Sequence, residues 1–322
     1  MPDTVASGGA VTAVLHCLLN EKKIDCVVAV GMDEKNPARA ITKVVTASEG
    51  IERIPGSCYQ VSSHAEVIPR LHELGAKIAF VGLPCHVQSL RKFEKTGRRT
   101  NVVLTLGIFC GFNLLPQATD FLLHMLGRRG ESAVKVEYRG GKWPGGFRVR
   151  WSSGRVSFIA RDDYSLCDLL YLPEFCRYCV DLACELADLS FGDAWYHPGG
   201  WSTILVRTES GKEAIENAAE SGCIELKDAS LADVEITQSH LIAHKKAKSA
   251  RRMNLLSESA RPRFLNYNLE GQDLVSPKPL FSEGLLRVAR GCFRLLPLPF
   301  FKLGSRLAHW LAVRFVKAKP LA

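Results

Sequence analysis

The chain has 322 residues, a formal charge of +9, 47% hydrophobic and 23% charged residues, and 11 cysteines. That length buries a real core in one large domain or two smaller ones, and the composition excludes a disordered or fibrous chain. No uncharged apolar run reaches the roughly 18 residues of a spanning helix, and the opening MPDTVASGGAVTAVL has no basic region ahead of its apolar stretch, so a secretion signal is not expected.

In chain order, Val11–Leu19 reads as a helix after a Ser-Gly-Gly turn, and Asp25–Gly31 (DCVVAVG) as a buried strand. His64–Leu74 has helical spacing at Val67, Ile68, Leu71 and Leu74. Lys77–Val81 (KIAFV) is a second strand, with a short helix over Val87–Phe93. Val102–Phe109 is a third strand, followed by a helix over Leu115–Leu126. Ala133–Tyr138 and Phe147–Trp151 alternate as strands across the turn GGKWPGG, and Val156–Ala160 adds a third. Cys179–Asp188 reads as a helix, Ser202–Thr208 as a strand and Gly211–Ser221 as a helix. The expected fold class is α/β: a mixed sheet with flanking helices and an antiparallel insert, plus C-terminal helices. Its expected divisions are 1–235, a basic helical extension at 236–283, and a basic amphipathic tail at 284–322.

Positive charge is concentrated late in the chain. Residues 245–263 carry seven cations and one acid, and 284–322 carry eight cations and no acid. The remainder is mildly acidic, which argues against nucleic-acid binding by the body. The tail interleaves its cations with Leu285, Leu286, Phe293, Leu295, Phe300, Phe301, Leu307, Trp310, Leu311 and Phe315, and Pro297 and Pro299 divide it into two short helices. Such a face suits an anionic membrane surface, or packing on the body or a partner subunit. The expected location is cytoplasmic, with the tail as a peripheral membrane contact.

An odd cysteine count in a long chain without a signal argues against a disulfide framework and for metal or cluster binding. Cys176 and Cys179 form C-x2-C, a spacing shared by zinc sites, iron–sulfur sites and redox dithiols. Cys85 (VGLPCH) and Cys110 (GIFCGF) each follow a strand, where open α/β sheets build their sites. The four can meet as one ligand set, or each can be an isolated core thiol. Cys17, Cys26, Cys167, Cys184, Cys223 and Cys292 read as core residues. Ser7, Gly8, Gly9 and Thr12 offer bare N–H groups and hydroxyls at a helix start, suited to a phosphate or serving as an ordinary cap.

Six segments together resemble the β-subunit family of coenzyme F420 hydrogenases and dehydrogenases: SGGAVTAVL (7–15), GSCYQ (56–60), VGLPCHVQSLRK (81–92), GIFCGFN (107–113), CRYCVDLACELADLSFGD (176–193) and GWSTILVRT (200–208). The resemblance implies an oxidoreductase module in residues 1–235 that binds FAD and one 4Fe–4S cluster. It implies Cys85, Cys110, Cys176 and Cys179 as cluster ligands, with Cys184 outside the set. It maps the flavin onto Ser7, Gly8, Gly9 and Thr12, with Tyr59, Trp201, Ser202 and Thr203 as further contacts. Coenzyme F420 or another organic acceptor, and a ferredoxin or other redox subunit, are the implied partners. Lys142 reads either as a cation steadying reduced flavin or an anionic substrate, or as a solvated loop lysine. Asp188 and Asp193 read as ribityl ligands or as turn caps.

Two departures stand out. Cys58 occupies the place of a family lysine before Tyr59, which removes an expected cation. The Ser-Gly-Gly segment begins six residues from the first residue, ahead of which family members carry more chain, so an N-terminally short member is expected. Two other readings remain: a redox-silent four-cysteine zinc module that interacts through its basic tail, and a family member that keeps the cluster without the flavin.

Overall fold

Runs of β-branched and aromatic residues, apolar on both faces, build the central sheet of the computed structural model, which describes residues 7–52, 54, 56–75, 77–197, 200–254 and 299–306. The first half runs α1 (Ala10–Asn20), β1 (Cys26–Met32), β2 (Ala40–Val45), α2 (Ser48–Ile51), β3 (Ile78–Gly82), α3 (Pro84–Glu94), β4 (Val102–Ile108) and α4 (Pro116–Leu126). The second runs β5 (Ala133–Gly140), β6 (Gly146–Trp151), β7 (Val156–Ala160), α5 (Leu166–Leu170), α6 (Glu174–Tyr178), β8 (Leu189–Asp193), β9 (Ser202–Val206), α7 (Glu209–Glu220), α8 (Leu231–Ala243) and α9 (Ser249–Asn254).

The main sheet has strand order β2-β1-β3-β4-β8-β9. Its four inner strands are parallel and its two edge strands antiparallel. Alternation along β1 sends Val27 and Ala29 to one face, under α1, α2 and α7, and Cys26 and Val28 to the other, under α3. The three-stranded antiparallel sheet β5-β6-β7 packs its inner residues Val136, Tyr138, Phe147, Val149 and Ile159 against α4 and α5. The mixed sheet and the antiparallel insert expected from sequence are both present.

The structure corrects two elements. His64–Leu74 is a turn followed by a 3₁₀ helix over Ile68–Glu73 rather than an α-helix, with Pro69 in its first turn. Cys179–Asp188 is irregular. There the Asp181 carboxylate accepts the Glu185 N–H at 3.1 and 3.2 Å, and Cys184 adopts φ 53°. A side chain thereby takes the hydrogen bond that a helix would give to the backbone. Two strands escaped the sequence reading: β2, a half-exposed edge, and β8, a five-residue strand between two acids.

The expected boundary at 235 falls within α8. Residues 299–306 form a short helix whose Phe301 is fully buried against Phe121, with ring centroids 5.1 Å apart. Ser165 Oγ donates to the Ser305 carbonyl at 2.6 Å, and Arg306 pairs with Asp163. This piece of the tail packs on the body. Residues 255–298, with Cys292, Leu285, Leu286, Phe293 and Leu295, and the tail positions beyond 306 lie outside the described residues. No helix among the described residues is long and apolar enough to cross a membrane.

Candidate functional site

The carboxyl ends of β3 and β4 release the chain into the segments that carry Cys85 and Cys110. Cys85 sits in the first turn of α3, and Cys110 two residues beyond β4. Cys176 lies within α6 and Cys179 caps its end. Backbone bonds fasten these pieces together. The Cys110 N–H donates to Leu182 O at 2.8 Å, and the Asn113 N–H supports the Cys176 sulfur. The four thiols lie within electrostatic reach of one another. Removal from water, then the neighbouring cysteines, push Cys85 up to about 12; burial likewise pushes Cys110 and Cys176 up. Such thiols are protonated at neutral pH, so a metal bound among them displaces protons. Among the described residues no three His, Cys, Asp or Glu side chains stand close enough to hold a single ion. A cluster is larger than a single ion and holds its thiolates further apart, and four soft donors within electrostatic reach of one another are the donor set of an iron–sulfur centre.

Cys184 is near Cys85 and Cys110 but faces elsewhere. It is buried in the helix–sheet core against Gly107, and its thiol points toward the Gly82 carbonyl at 4.0 Å. Cys17, Cys26 and Cys167 are buried core thiols, whereas Cys223 is exposed.

A fifth group at the thiols was missed from sequence. Lys245 is 1% exposed and within hydrogen-bonding reach of Cys179, with Cys110 and Cys176 beside it. Burial opposes its charge, but the three sulfurs outweigh burial and raise its pKa. In sequence it is one cation in a basic run. The signal was the stripe Leu241, Lys245, Ser249 and Met253 at helical spacing, with the last three buried.

The second cluster lies at the same sheet edge, over β8 and β9. Residues 194 positions apart meet there: Ser7 Oγ donates to Trp201 O at 3.1 Å and lies 2.9 Å from Ser202 Oγ. A Cβ on Gly8 would stand 2.9 Å from Ser202 N and 3.1 Å from Gly200 O, so only glycine leaves this backbone cradle open. Gly9 has φ 75° and caps α1; Thr12 is exposed one turn on. Thr203 is buried beside Tyr196, its Oγ1 3.2 Å from the phenol oxygen.

Across the cradle the β5–β6 loop lays Trp143 on Gly200, and Trp143 packs on Trp195 with centroids 5.3 Å apart. Trp143 Nε1 is buried without a hydrogen-bond partner among the described residues. Lys142 itself is exposed. Arg139, unremarked in sequence, donates to Asp193 at 2.8 Å and to Tyr59 Oη at 3.2 Å, and lies 5.6 Å from the Trp195 ring centroid. Arg161 stands over the Tyr59 ring, 5.8 Å from its centroid, and pairs with Asp168 at 2.6 Å. Two guanidiniums thus stand where the Cys58 substitution had suggested a missing cation. Burial pushes the Cys58 thiol up to about 11. An open cradle, an orphaned indole N–H, stacked aromatics and the buried Arg139 guanidinium fit an anionic, planar cofactor such as a flavin nucleotide.

The two acids part company. Asp193 joins this cluster through Arg139. Asp188 lies deeper and ties β4, α3 and α7 together, accepting from the Thr105 N–H at 2.8 Å, Thr105 Oγ1 at 2.6 Å and Thr208 Oγ1 at 3.0 Å. A separate open recess of about 570 Å³, between Pro69, His72, Phe93 and Arg99, opens elsewhere and holds none of the thiols.

Two family models match the chain, both described as "Coenzyme F420 hydrogenase/dehydrogenase, beta subunit": the N-terminal one over residues 3–69 and the C-terminal one over residues 75–231. The N-terminal segment expected to be short is therefore matched from residue 3. The coenzyme F420 hydrogenase subunit beta of Methanococcus voltae is 31% identical over 230 residues, 69% of this chain and 79% of that protein. The coenzyme F420-dependent sulfite reductase of Methanocaldococcus jannaschii is 30% identical over 269 residues, which span 77% of this chain but 39% of that protein. A chain of the F420-reducing NiFe hydrogenase complex from Methanosarcina barkeri shares the fold, with TM-score 0.63, 24% identity, and coverage of 81% of this chain and 90% of that one. The chain is an oxidoreductase subunit belonging to the coenzyme F420 hydrogenase/dehydrogenase beta subunit family.

Proposed function

We propose that the chain holds one 4Fe–4S cluster on Cys85, Cys110, Cys176 and Cys179 and one FAD at the Ser7–Gly9 cradle, and so links a one-electron partner to coenzyme F420 or another organic hydride carrier. The observation that supports this reading is that four thiols from three separate segments lie within electrostatic reach of one another at the sheet edge that also seats the cradle. The flavin, when bound, supplies the exchange between hydride and single-electron chemistry.

The chain's own residues bind and orient. The N–H groups of Gly8 and Gly9 and the Ser7 hydroxyl suit a phosphate at the start of α1. Arg139, fixed by Asp193 and Tyr59, brings a cation toward the negative charge of a reduced ring. Trp143 and Trp195 offer flat apolar surface that excludes water. No acid–base triad is required, because positioning and electrostatics do the work. The partner is a ferredoxin or another redox subunit, of the kind a larger complex would supply.

Anaerobically purified protein is expected to contain about four irons per chain with matching sulfide, and flavin in about equal amount to protein. Cys176→Ser and Cys179→Ser lose the iron, and Cys184→Ser keeps it. One zinc and no iron in the unsubstituted protein overturns the reading. Iron loss in Cys184→Ser with retention in Cys176→Ser overturns the ligand choice. Full iron without flavin retires the FAD half alone.

A further inference from the structure

We propose that Lys245 is a positioning charge for the cysteine site: its buried ammonium faces the thiolates and makes the bound cluster easier to reduce. This rests on the cluster reading above and goes beyond it, because residue 245 lies outside both family-model matches, which end at 69 and 231.

Geometry carries the inference. A lysine that is 1% exposed is rare unless something opposite in charge meets it. Among the described residues, the groups that meet its ammonium are the sulfurs of Cys179, Cys110 and Cys176. The next residue behaves differently: Lys246 pairs with Glu185. Both lie in a single π-helical turn over His244–Lys248, set between α8 and α9. Such a turn is uncommon, and it typically marks a functional position.

The surrounding contacts fix this turn against the site. Leu241 packs where a side chain on Gly111 would clash, one residue from Cys110. His244 lies against Phe112, with ring centroids 6.5 Å apart. On the far side Ser249 Oγ and Arg252 Nη1 donate to the Arg177 carbonyl at 3.1 and 2.7 Å, between the two cysteines of C-x2-C. The α8–α9 segment therefore covers the thiols from above, and Lys245 is the charge it points down at them.

The consequence follows from charge. Four thiolates more than cancel the positive iron–sulfide core, and each electron added deepens the excess. A fixed positive charge in a water-poor site stabilises the reduced form more than the oxidised form. The step concerned is addition of one electron to the cluster from a one-electron donor such as dithionite. No bond is made or broken, and Lys245 keeps its protons.

The test is an anaerobic redox titration of the full chain followed by electron paramagnetic resonance, on Lys245→Met, Lys245→Gln and Lys245→Arg beside the unsubstituted protein, with iron measured in each. In both neutral variants the ratio of reduced to oxidised cluster at a fixed potential is expected to fall about tenfold or more, or about 59 mV for one electron. Lys245→Arg is expected to stay near the parent. An unchanged ratio in an iron-loaded neutral variant overturns the inference. If the neutral variants lose iron, retention in Lys245→Arg supports a need for the charge, whereas equal loss in Lys245→Arg reduces Lys245 to a packing role and overturns it. Iron missing from the unsubstituted protein overturns the cluster reading itself, a result distinct from the others.

Discussion

Asp188 invites the sharpest test of stability, because the same residue could bind a sugar hydroxyl or hold the fold. Its Oδ2 accepts the Thr105 N–H and Thr105 Oγ1, with Arg91 Nη2 at 3.5 Å; its Oδ1 accepts Thr208 Oγ1, which also caps α7 by accepting the Gly211 N–H at 3.2 Å. Thr105 is fully buried within β4. Asp188→Ala strands the Thr105 N–H away from water, at about 1–3 kcal/mol. It also removes two further bonds to a charged acceptor, which at their usual worth bring the total to about 3–5 kcal/mol after discounting their partial exposure. That is a large share of the about 5–15 kcal/mol that holds a native domain. At about 2–4 °C per kcal/mol, the melting midpoint falls by about 6–20 °C. Asp188→Asn keeps one carbonyl acceptor for the Thr105 N–H and costs about 1–2 kcal/mol. Urea and thermal unfolding followed by circular dichroism measure both variants, and flavin absorbance is read on the same samples. An Asp188→Ala protein that unfolds with the parent refutes the structural reading. If it also loses flavin, the carboxylate belongs to the ligand.

His64 links stability to pH. Burial, with His86 beside it at a centroid distance of 4.3 Å, holds its pKa down at about 3, well below the ordinary 6.5. The unfolded chain therefore binds a proton that the folded one refuses, and stability falls as pH drops from about 6.5 toward 3, by about 1.4 kcal/mol per unit for this residue. His86, held down at about 4, adds a similar slope, so His64→Gln should roughly halve the acid loss measured by urea midpoints between pH 7 and 4.5. An unaltered slope would remove His64 from the account. Phe301→Ala should detach residues 299–306 from the body. Losing a fully buried ring costs about 3 kcal/mol, raising the detached population about a hundredfold. Limited proteolysis reads this as faster cleavage near Arg306, and an unchanged rate would mean that Phe301 does not anchor the segment.

Much of the sheet was visible in the sequence because its inner strands are apolar on both faces, a local property of DCVVAVG, KIAFV and VVLTLGIF. The edges were not. β2 exposes Ile41 and Val44 and carries Lys43 between them, so its pattern is that of a surface segment. β8 is five residues with Gly192 inside, and becomes a strand only through pairing with β4 and β9. Residues 179–188 misled because the helical spacing of Leu182 and Leu186 is real, yet the Asp181 carboxylate takes the bond that would extend a helix.

Within the candidate site the division runs along the same line, between what is local and what is not. C-x2-C is a local signal, and the placement of Cys85 and Cys110 after strands follows from topology. The contact of Ser7 with Ser202 has no local trace, since the two residues are 195 positions apart, and only family resemblance had named both. Arg139 falls one residue past the strand expected over Ala133–Tyr138, and nothing local marks it. It turns inward because β5 and β6 lose register between Glu137 and Gly140, which aims the guanidinium at Tyr59 and Asp193. Lys245 was hidden more completely, because a cation in a basic run is normally solvated. The shared edge relates these pieces: β4 ends beneath Cys110, its neighbour β8 ends at Asp193, and β9 begins opposite at Ser202. Gln238 of α8 reaches the Asp193 carbonyl at 3.4 Å, while Leu241 of the same helix packs at Gly111. One helix thus touches the margins of both clusters, so a change in its seating is felt at the thiols and at the cradle together.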